Sequence, residues 1–133
     1  FFFFFSMPWM IPSRPQEYLK LIQRVDHSRF AAHLDLVNMI TSPRRYFFND
    51  AFMRECFEVL KGHICSCHLK DIRLKEDFTF QLQECAVGEG TLDIRLYTEL
   101  ATAADPDMAM IIEHLSTDEE YISSMNYMKE HLI

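Results

Sequence analysis

Apolar positions along the chain follow two alternating patterns. Short continuous runs alternate with longer stretches in which apolar residues recur every three or four positions. Met7 to Met10 end an extended stretch that Pro12 closes, and Pro15 suits the first turn of a helix, where a missing N–H is no loss. Tyr18, Leu19, Ile22 and Val25 then repeat at helical spacing. Phe30 to Val37 reads as a strand, broken by Thr41-Ser42-Pro43. Asn49 is the candidate N-cap of the next helix, whose stripe is Phe52, Met53, Cys56, Phe57 and Leu60, with Gly62 as its stop. Ile64 to Lys70 is the next strand, and an irregular stretch follows it, with a strand expected at Phe78 to Leu82 and a turn at Gly88-Glu89-Gly90. Leu96, Tyr97, Leu100 and Ala104 mark another helix, and Asp105-Pro106-Asp107 a turn. Met108 to His114 reads as a nearly all-apolar strand, as expected when both faces are covered. Ser116-Thr117-Asp118-Glu119 reads as a capping box, and Tyr121, Ile122, Met125, Met128 and Leu132 as the buried side of the last helix.

Strand and helix alternate in this order, with continuous apolar strands. That predicts an α/β fold with a parallel sheet and right-handed crossovers. Three complete strand-helix units follow a partial strand and its helix, and no short repeat is visible.

Composition narrows the class. The chain has 133 residues and is 49% apolar and 25% charged, which suits one globular domain with a core. Only 3 Gly and 5 Pro exclude a collagen-like or linker-like chain. A net charge of −7 argues against a polyanion partner, since Arg44-Arg45 is the nearest approach to a basic patch. The 4 cysteines do not make a disulfide scaffold at this length, so free thiols in a reducing cytoplasm are expected. The run Phe1 to Phe5 is too short to cross a bilayer and lacks the basic flank of a signal peptide. Residues 1–6 are set apart as an atypical Phe-rich leading segment, and the expectation is either that the chain begins inside a larger protein or that these residues are a poorly defined segment.

Polar residues stand at the C-terminal ends of the predicted strands: Asp35 on the first, His68 on the second, Glu113 on the third. Residues two apart on a strand share a face. His33 goes with Asp35, Ser66 and His68 with Lys70, and Ala109 and Ile111 with Glu113. If these faces all point inward, an imidazole and two carboxylates meet at one rim, a set that suits a divalent cation. Parallel barrels place their sites at that rim. Taken singly, each residue has a plain structural reading: a hydrogen-bonded core histidine, an aspartate that caps a turn, a solvated strand end at Glu113-His114. Cys65-Ser66-Cys67-His68 lacks the spacing of a zinc knuckle, and Cys67 and His68 point to opposite faces, so both cysteines are expected to pack under helices. Gly88-Glu89-Gly90 is too short for a phosphate-binding fingerprint and reads as a turn, with a place in the lining of the site as the alternative to a plain connection. Met53, Met125 and Met128 fall on helical stripes and read as core.

The stretches MPWMIPSRP, HLDLVNMITSPRRYF, CHLKD, GEGTLD and IIEHLSTDEEY, in that order, resemble the second half of a xylose-isomerase-like TIM barrel. The resemblance covers about residues 7 to 133 and implies a single C-terminal half-barrel over residues 1–133, about strands five to eight. This superfamily includes sugar isomerases, ketose epimerases and apurinic endonucleases. It carries a divalent metal (Mn, Mg, Co or Zn) on Glu, Asp, His and Glu at four strand ends. The resemblance assigns Asp35, His68 and Glu113 as metal ligands, with Glu113 also the base. It places the fourth ligand at about Phe5, where this chain lacks the Glu. Asn38 falls where several epimerases contact substrate, and His33 joins it as a candidate substrate contact. Lys70 matches a position near the substrate and joins Glu113 as a candidate catalytic residue.

The activity so implied is proton transfer next to the carbonyl of a small sugar or sugar phosphate, through an enediolate. A non-catalytic half-barrel remnant that associates to complete a barrel is the alternative. An apurinic endonuclease comes third, because a basic rim is missing. A whole barrel needs roughly 250 residues. An open half exposes two parallel edges, so self-association or a missing N-terminal half is expected.

Overall fold

The structure, a computed structural model, describes residues 2–4 and 6–131. The expectations that rest on Phe5 and Leu132 lie outside the described residues. In chain order the elements are β1 (Phe2–Phe4), α1 (Pro15–Val25), β2 (Phe30–Leu34), α2 (Leu36–Met39), α3 (Pro43–Phe47), α4 (Asn49–Val59), β3 (Ile64–Leu69), β4 (Asp71–Leu74), β5 (Leu82–Cys85), α5 (Ile94–Ala104), β6 (Ala109–Ile112) and α6 (Asp118–His131).

One parallel sheet runs in the order β1-β2-β3-β6, and β4 and β5 form a separate antiparallel hairpin. Each parallel neighbour is reached through a helical crossover, the arrangement of a partial (β/α) barrel. Outward-facing Ala32, Leu34, Cys67 and Leu69 pack with Tyr18, Ile22, Met53, Cys56, Phe57, Tyr97 and Ala101 of the helices in one buried cluster. The leucines, Ile22, Met53 and Phe57 each contribute roughly 1.5–3 kcal/mol when taken out of water. Phe4 meets Tyr18 edge-on at 5.6 Å and Phe30 at 6.4 Å, which ties the edge strand β1 to the core.

Local chemistry sets the helix ends. Pro15 sits at the start of α1, and Glu17 accepts from the Ser13 N–H at 2.9 Å. Ser42 caps α3, with Pro43 as its first residue. Asp93 caps α5, accepting from the Leu96 N–H at 2.9 Å. Gly62, with φ 75, turns the chain between α4 and β3 in a conformation other residues adopt with strain.

Several boundaries differ from the sequence expectation. Met7–Met10 is a turn, closed by a hydrogen bond from the Met10 N–H to the Met7 carbonyl at 2.9 Å. The strand expected over Phe30–Val37 ends at Leu34, because Asp35 accepts from the Asn38 N–H at 3.0 Å and caps the one-turn α2. Asn49 lies inside α4 rather than at its cap; its amide donates to the carbonyls of Tyr46 and Thr91 at 3.0 and 3.3 Å. The strand expected at Phe78–Leu82 lies at Leu82–Cys85, in register with Asp71–Leu74. The capping box is Thr117 with Glu120: the Thr117 hydroxyl accepts from the Glu120 N–H at 3.3 Å, and the Glu120 carboxylate accepts from the Ser116 and Thr117 N–H groups at 2.7 and 3.1 Å.

The largest departures are at the C-terminal edge. β6 is short and is an edge strand among the described residues, with Ala109 and Ile111 exposed, so its two faces are not both covered. α6 docks through Ser124, whose hydroxyl accepts from the Val87 N–H at 3.0 Å, and through Tyr127, packed on Gly88. That anchorage turns Ile122 and Met125 outward, at 58% and 49% exposure. Met125 is thus not a core residue, whereas Met53 is fully buried and Met128 packs partly against the core.

Candidate metal and acid/base centre

Register places the polar side chains. His33 of β2 is level with Ser66 of β3, and Ser66 with Ala109 of β6. His68 is level with Ile111, so Glu113, just beyond β6, stands one inward-facing position higher. The three strands thus deliver Asp35, His68 and Glu113 to the C-terminal rim, as the sequence reading expects. One ligand atom from each lies within 4.8 Å of the others.

The contacts are short and shared. The same Asp35 Oδ2 lies 3.0 Å from His68 Nδ1 and 2.9 Å from Lys70 Nζ. Glu113 Oε1 lies 2.6 Å from His68 Nδ1 and 3.0 Å from Lys70 Nζ. The other Asp35 oxygen accepts from the Asn38 N–H, which fixes the carboxylate plane. Burial alone would raise the Asp35 pKa, but the His68 hydrogen bond and the Lys70 charge outweigh it and hold the carboxyl below its usual range. Burial likewise disfavours the Lys70 ammonium, but Asp35 and Glu113 outweigh it and raise the amine above its ordinary value.

His33 lies beneath this cluster. Its Nδ1 is hydrogen-bonded to the Ser66 hydroxyl, and its ring meets that of His68 edge-on at 3.8 Å. Burial, and then the neighbouring His68, lower its pKa. Asn38 is also buried, but its amide donates to the Ser6 carbonyl at 2.8 Å and so holds the turn that follows β1. Tyr97 of α5 reaches under the rim, with its hydroxyl 2.9 Å from the His68 carbonyl and 3.2 Å from that of Leu34. It joins the ends of the two strands that carry Asp35 and His68.

Three further residues build the rim. Glu84 of β5 lies 3.6 Å from Lys70 Nζ and 3.4 Å from His114 Nδ1. His114 accepts from the Lys70 ammonium at 3.1 Å and holds φ at 60, a left-handed conformation uncommon for a non-glycine residue. Asp71, 1% exposed, follows Lys70 and is wrapped by the Gly88-Glu89-Gly90 turn. Its carboxylate accepts from the N–H groups of Ile72, Gly88, Gly90 and Leu92 at 2.8, 3.1, 2.9 and 3.1 Å. The glycine loop thus cradles an anion of its own chain and holds the β4–β5 hairpin against the rim. The signal for Asp71 was present in the sequence: two glycines bracketing one residue, downstream of a strand that ends in Lys-Asp.

The cysteines take no part. Cys67 points to the helix side, opposite His68, and burial pushes its thiol up to about 12. Cys65 donates to the Ala32 carbonyl at 3.2 Å. An open surface cavity of about 680 Å³ lies apart from the rim, between α3 and α4, where Arg45 donates to the carbonyls of Ser13 and Met39 and stacks on Phe52. Those bonds give Arg45 a structural role.

The donor set fits a divalent ion. One imidazole nitrogen and two carboxylate oxygens from separate strands converge, with Asp35 oriented by a backbone N–H, and this chemistry suits Mg, Mn, Co or Zn.

No family model matches the chain, and no curated protein matches it. Solved structures do. A xylose isomerase domain protein from Planctomyces limnophilus superposes with a TM-score of 0.67 at 18% identity, over 87% of this chain and 40% of its own. A xylose isomerase-like TIM barrel protein from Mycobacterium smegmatis, in complex with magnesium, gives 0.67 at 17% identity, over 88% and 39%. The structure of AsfvAP:AG gives 0.66 at 14% identity, over 98% and 52%. The chain therefore has the fold of a partial TIM barrel and spans about 40% to about half of the length of these proteins. No described helix is long and apolar enough to cross a membrane.

Proposed function

We propose that this chain carries the metal-binding and acid/base half of an enzyme that moves a proton next to the carbonyl of a small sugar or sugar phosphate. The observation that carries this reading is the convergence of Asp35, His68 and Glu113 at the ends of three adjacent parallel strands. Asp35, His68 and Glu113 would hold a divalent ion; magnesium in the mycobacterial neighbour supports a metal of that kind without fixing its identity. When bound, such an ion would polarise a carbonyl and the hydroxyl beside it and so acidify the C–H on the hydroxyl-bearing carbon.

The chain's own groups do the rest. Glu113, the most exposed of the three ligands, accepts the proton at its carboxylate. Lys70 donates hydrogen bonds toward a substrate oxygen. His33, beneath the cluster, and Asn38, beside Asp35, would bound the floor and side of the site. Residues 1–133 correspond in this reading to strands five to eight. The described edges β1 and β6 then pair with further parallel strands, from a second copy or from a preceding half. Ile111 of β6 and Ile122 and Met125 of α6 are exposed apolar side chains that such association could cover. The four free thiols suit a reducing compartment such as the cytoplasm.

The test is hydrogen exchange. Aldoses, ketoses and their phosphates are incubated with the Mn²⁺-loaded protein in D₂O, and deuterium gained at the carbon next to the carbonyl is read by NMR. Incorporation lost in Glu113→Gln supports the proposal. No incorporation with any sugar favours the alternative, a half-barrel that associates but performs no chemistry. Cleavage of an abasic-site duplex instead would favour the nuclease reading, which a net charge of −7 opposes.

A further inference from the structure

The cluster already contains a cation. Lys70 Nζ lies 2.9 Å from Asp35 Oδ2 and 3.0 Å from Glu113 Oε1, the same two oxygens that flank His68 Nδ1. Its side chain is 2% exposed, so water screens this charge poorly. We propose that the Lys70 ammonium is the resident counter-ion of the Asp35–Glu113 pair, and that a divalent ion enters only as Lys70 swings outward to Glu84 and His114. This inference rests on the metal-site reading above and adds how that site is gated.

Two observations carry it. The first is competition for the same atoms. A metal bound to carboxylate oxygens sits about 2.0–2.2 Å from them, and the ammonium lies within hydrogen-bond distance of both those oxygens. Two cations sharing one carboxylate pair, of which Asp35 is buried, repel each other. Two carboxylates with Lys70 present leave one net negative charge for an incoming ion; without Lys70 they leave two.

The second observation is a prepared second seat. Glu84 Oε1 lies 3.6 Å from Nζ on the outer side, and its side chain is 37% exposed. His114 Nδ1 already accepts from the ammonium at 3.1 Å. His114 holds a positive φ of 60, and its Nδ1 also lies 3.4 Å from Glu84 Oε2, so imidazole and carboxylate stand side by side. A modest rotation of a four-carbon side chain transfers the ammonium from one carboxylate pair to an outer carboxylate and imidazole. No bond to carbon or nitrogen is made or broken.

Mn²⁺ binding by calorimetry, on the full chain, tests this with wild type, Lys70→Met, Glu84→Gln and Asp35→Asn. Lys70→Met is expected to bind Mn²⁺ at least about tenfold more tightly than wild type. Glu84→Gln, which weakens the outer seat, is expected to bind a few-fold more weakly. In addition, the Lys70 ¹³Cε resonance of wild type is expected to shift as diamagnetic Mg²⁺ is added. Wild type that binds Mn²⁺ as tightly as Lys70→Met does, or more tightly, overturns the inference and leaves the metal site standing. Binding by neither wild type nor Lys70→Met overturns the site and the gate together. If Lys70→Met does not fold, the resonance decides: unmoved by Mg²⁺ at concentrations where calorimetry detects binding, it overturns the gate.

Discussion

Gly90 lies so close to Asp71 that a β-carbon on it would stand 2.1 Å from Asp71 Oδ1. The absence of a side chain there is what allows the loop to close over the carboxylate and the Gly90 N–H to reach it. The same close fit fixes the hairpin that carries Glu84, and so the rim beside Lys70 depends on it.

Gly90→Ala is therefore expected to destabilise the fold by about 2–4 kcal/mol, since backbone as well as the carboxylate must shift. Asp71→Asn, which keeps the shape but removes the charge that four N–H groups address, is expected to lose about 1.5–3 kcal/mol. Urea denaturation followed by circular dichroism measures both. A change within 0.5 kcal/mol (roughly the surface-substitution range) in both variants would contradict the cradle.

Acid should weaken the fold in two stages. The folded pKa of His33 is depressed, first by burial, so its contribution to stability is complete above the unfolded value of about 6.5 and is lost as pH falls below it. Asp35 is also depressed in the folded state. Its contribution is present above the unfolded carboxyl range, near 4, and is lost as pH falls through the lower folded value. Metal-free wild type is expected to lose stability between pH 7.5 and 5.5, and His33→Gln to lose less over the same interval. Equal slopes would remove His33 from the account.

Thiol reactivity reports the packing of the sheet. Cys56 and Cys67 are fully buried, Cys85 nearly so, and burial raises all three thiols, Cys67 and Cys85 to about 12. At pH 8 iodoacetamide is expected to modify only half-exposed Cys65 in the native protein and all four cysteines in urea, as read by mass spectrometry. Rapid native modification of Cys67 would mean that β3 is not covered by its helices.

The uncovered β6 edge predicts association. A chain of 15.8 kDa is expected to sediment as a larger species at micromolar concentration, and Ile111→Lys to shift it toward the single-chain mass. A wild-type particle of single-chain mass would contradict edge pairing between copies.

The candidate site was legible where the local pattern and the strand ends coincide. Asp35, His68 and Glu113 each end an apolar run, and parity along a strand put Lys70 on the face of His68. Lys70 was legible as a neighbour of the site; its hold on both carboxylates needs the third dimension. Glu84 and His114 were not legible in that role. Glu84 arrives through a hairpin whose register the sequence places four residues early, and His114 reaches Lys70 and Glu84 from a backbone with positive φ, which strand parity does not anticipate. The fold was legible as alternating strands and helices, but not which strand forms an edge. Met108–His114 is apolar whether one face or both are covered, and α6 carries apolar residues on more than one side. Its docking is decided by Ser124 and Tyr127, which fit the glycine loop, rather than by Ile122 and Met125.

The central claim is that Asp35, His68 and Glu113 grip one divalent ion. Mn²⁺ titration followed by electron paramagnetic resonance tests it most directly. The expected result is saturation at one ion per chain in wild type, weakened more than about tenfold in both Asp35→Asn and His68→Ala. No bound Mn²⁺ in wild type at millimolar metal, or undiminished binding in both variants, would contradict it.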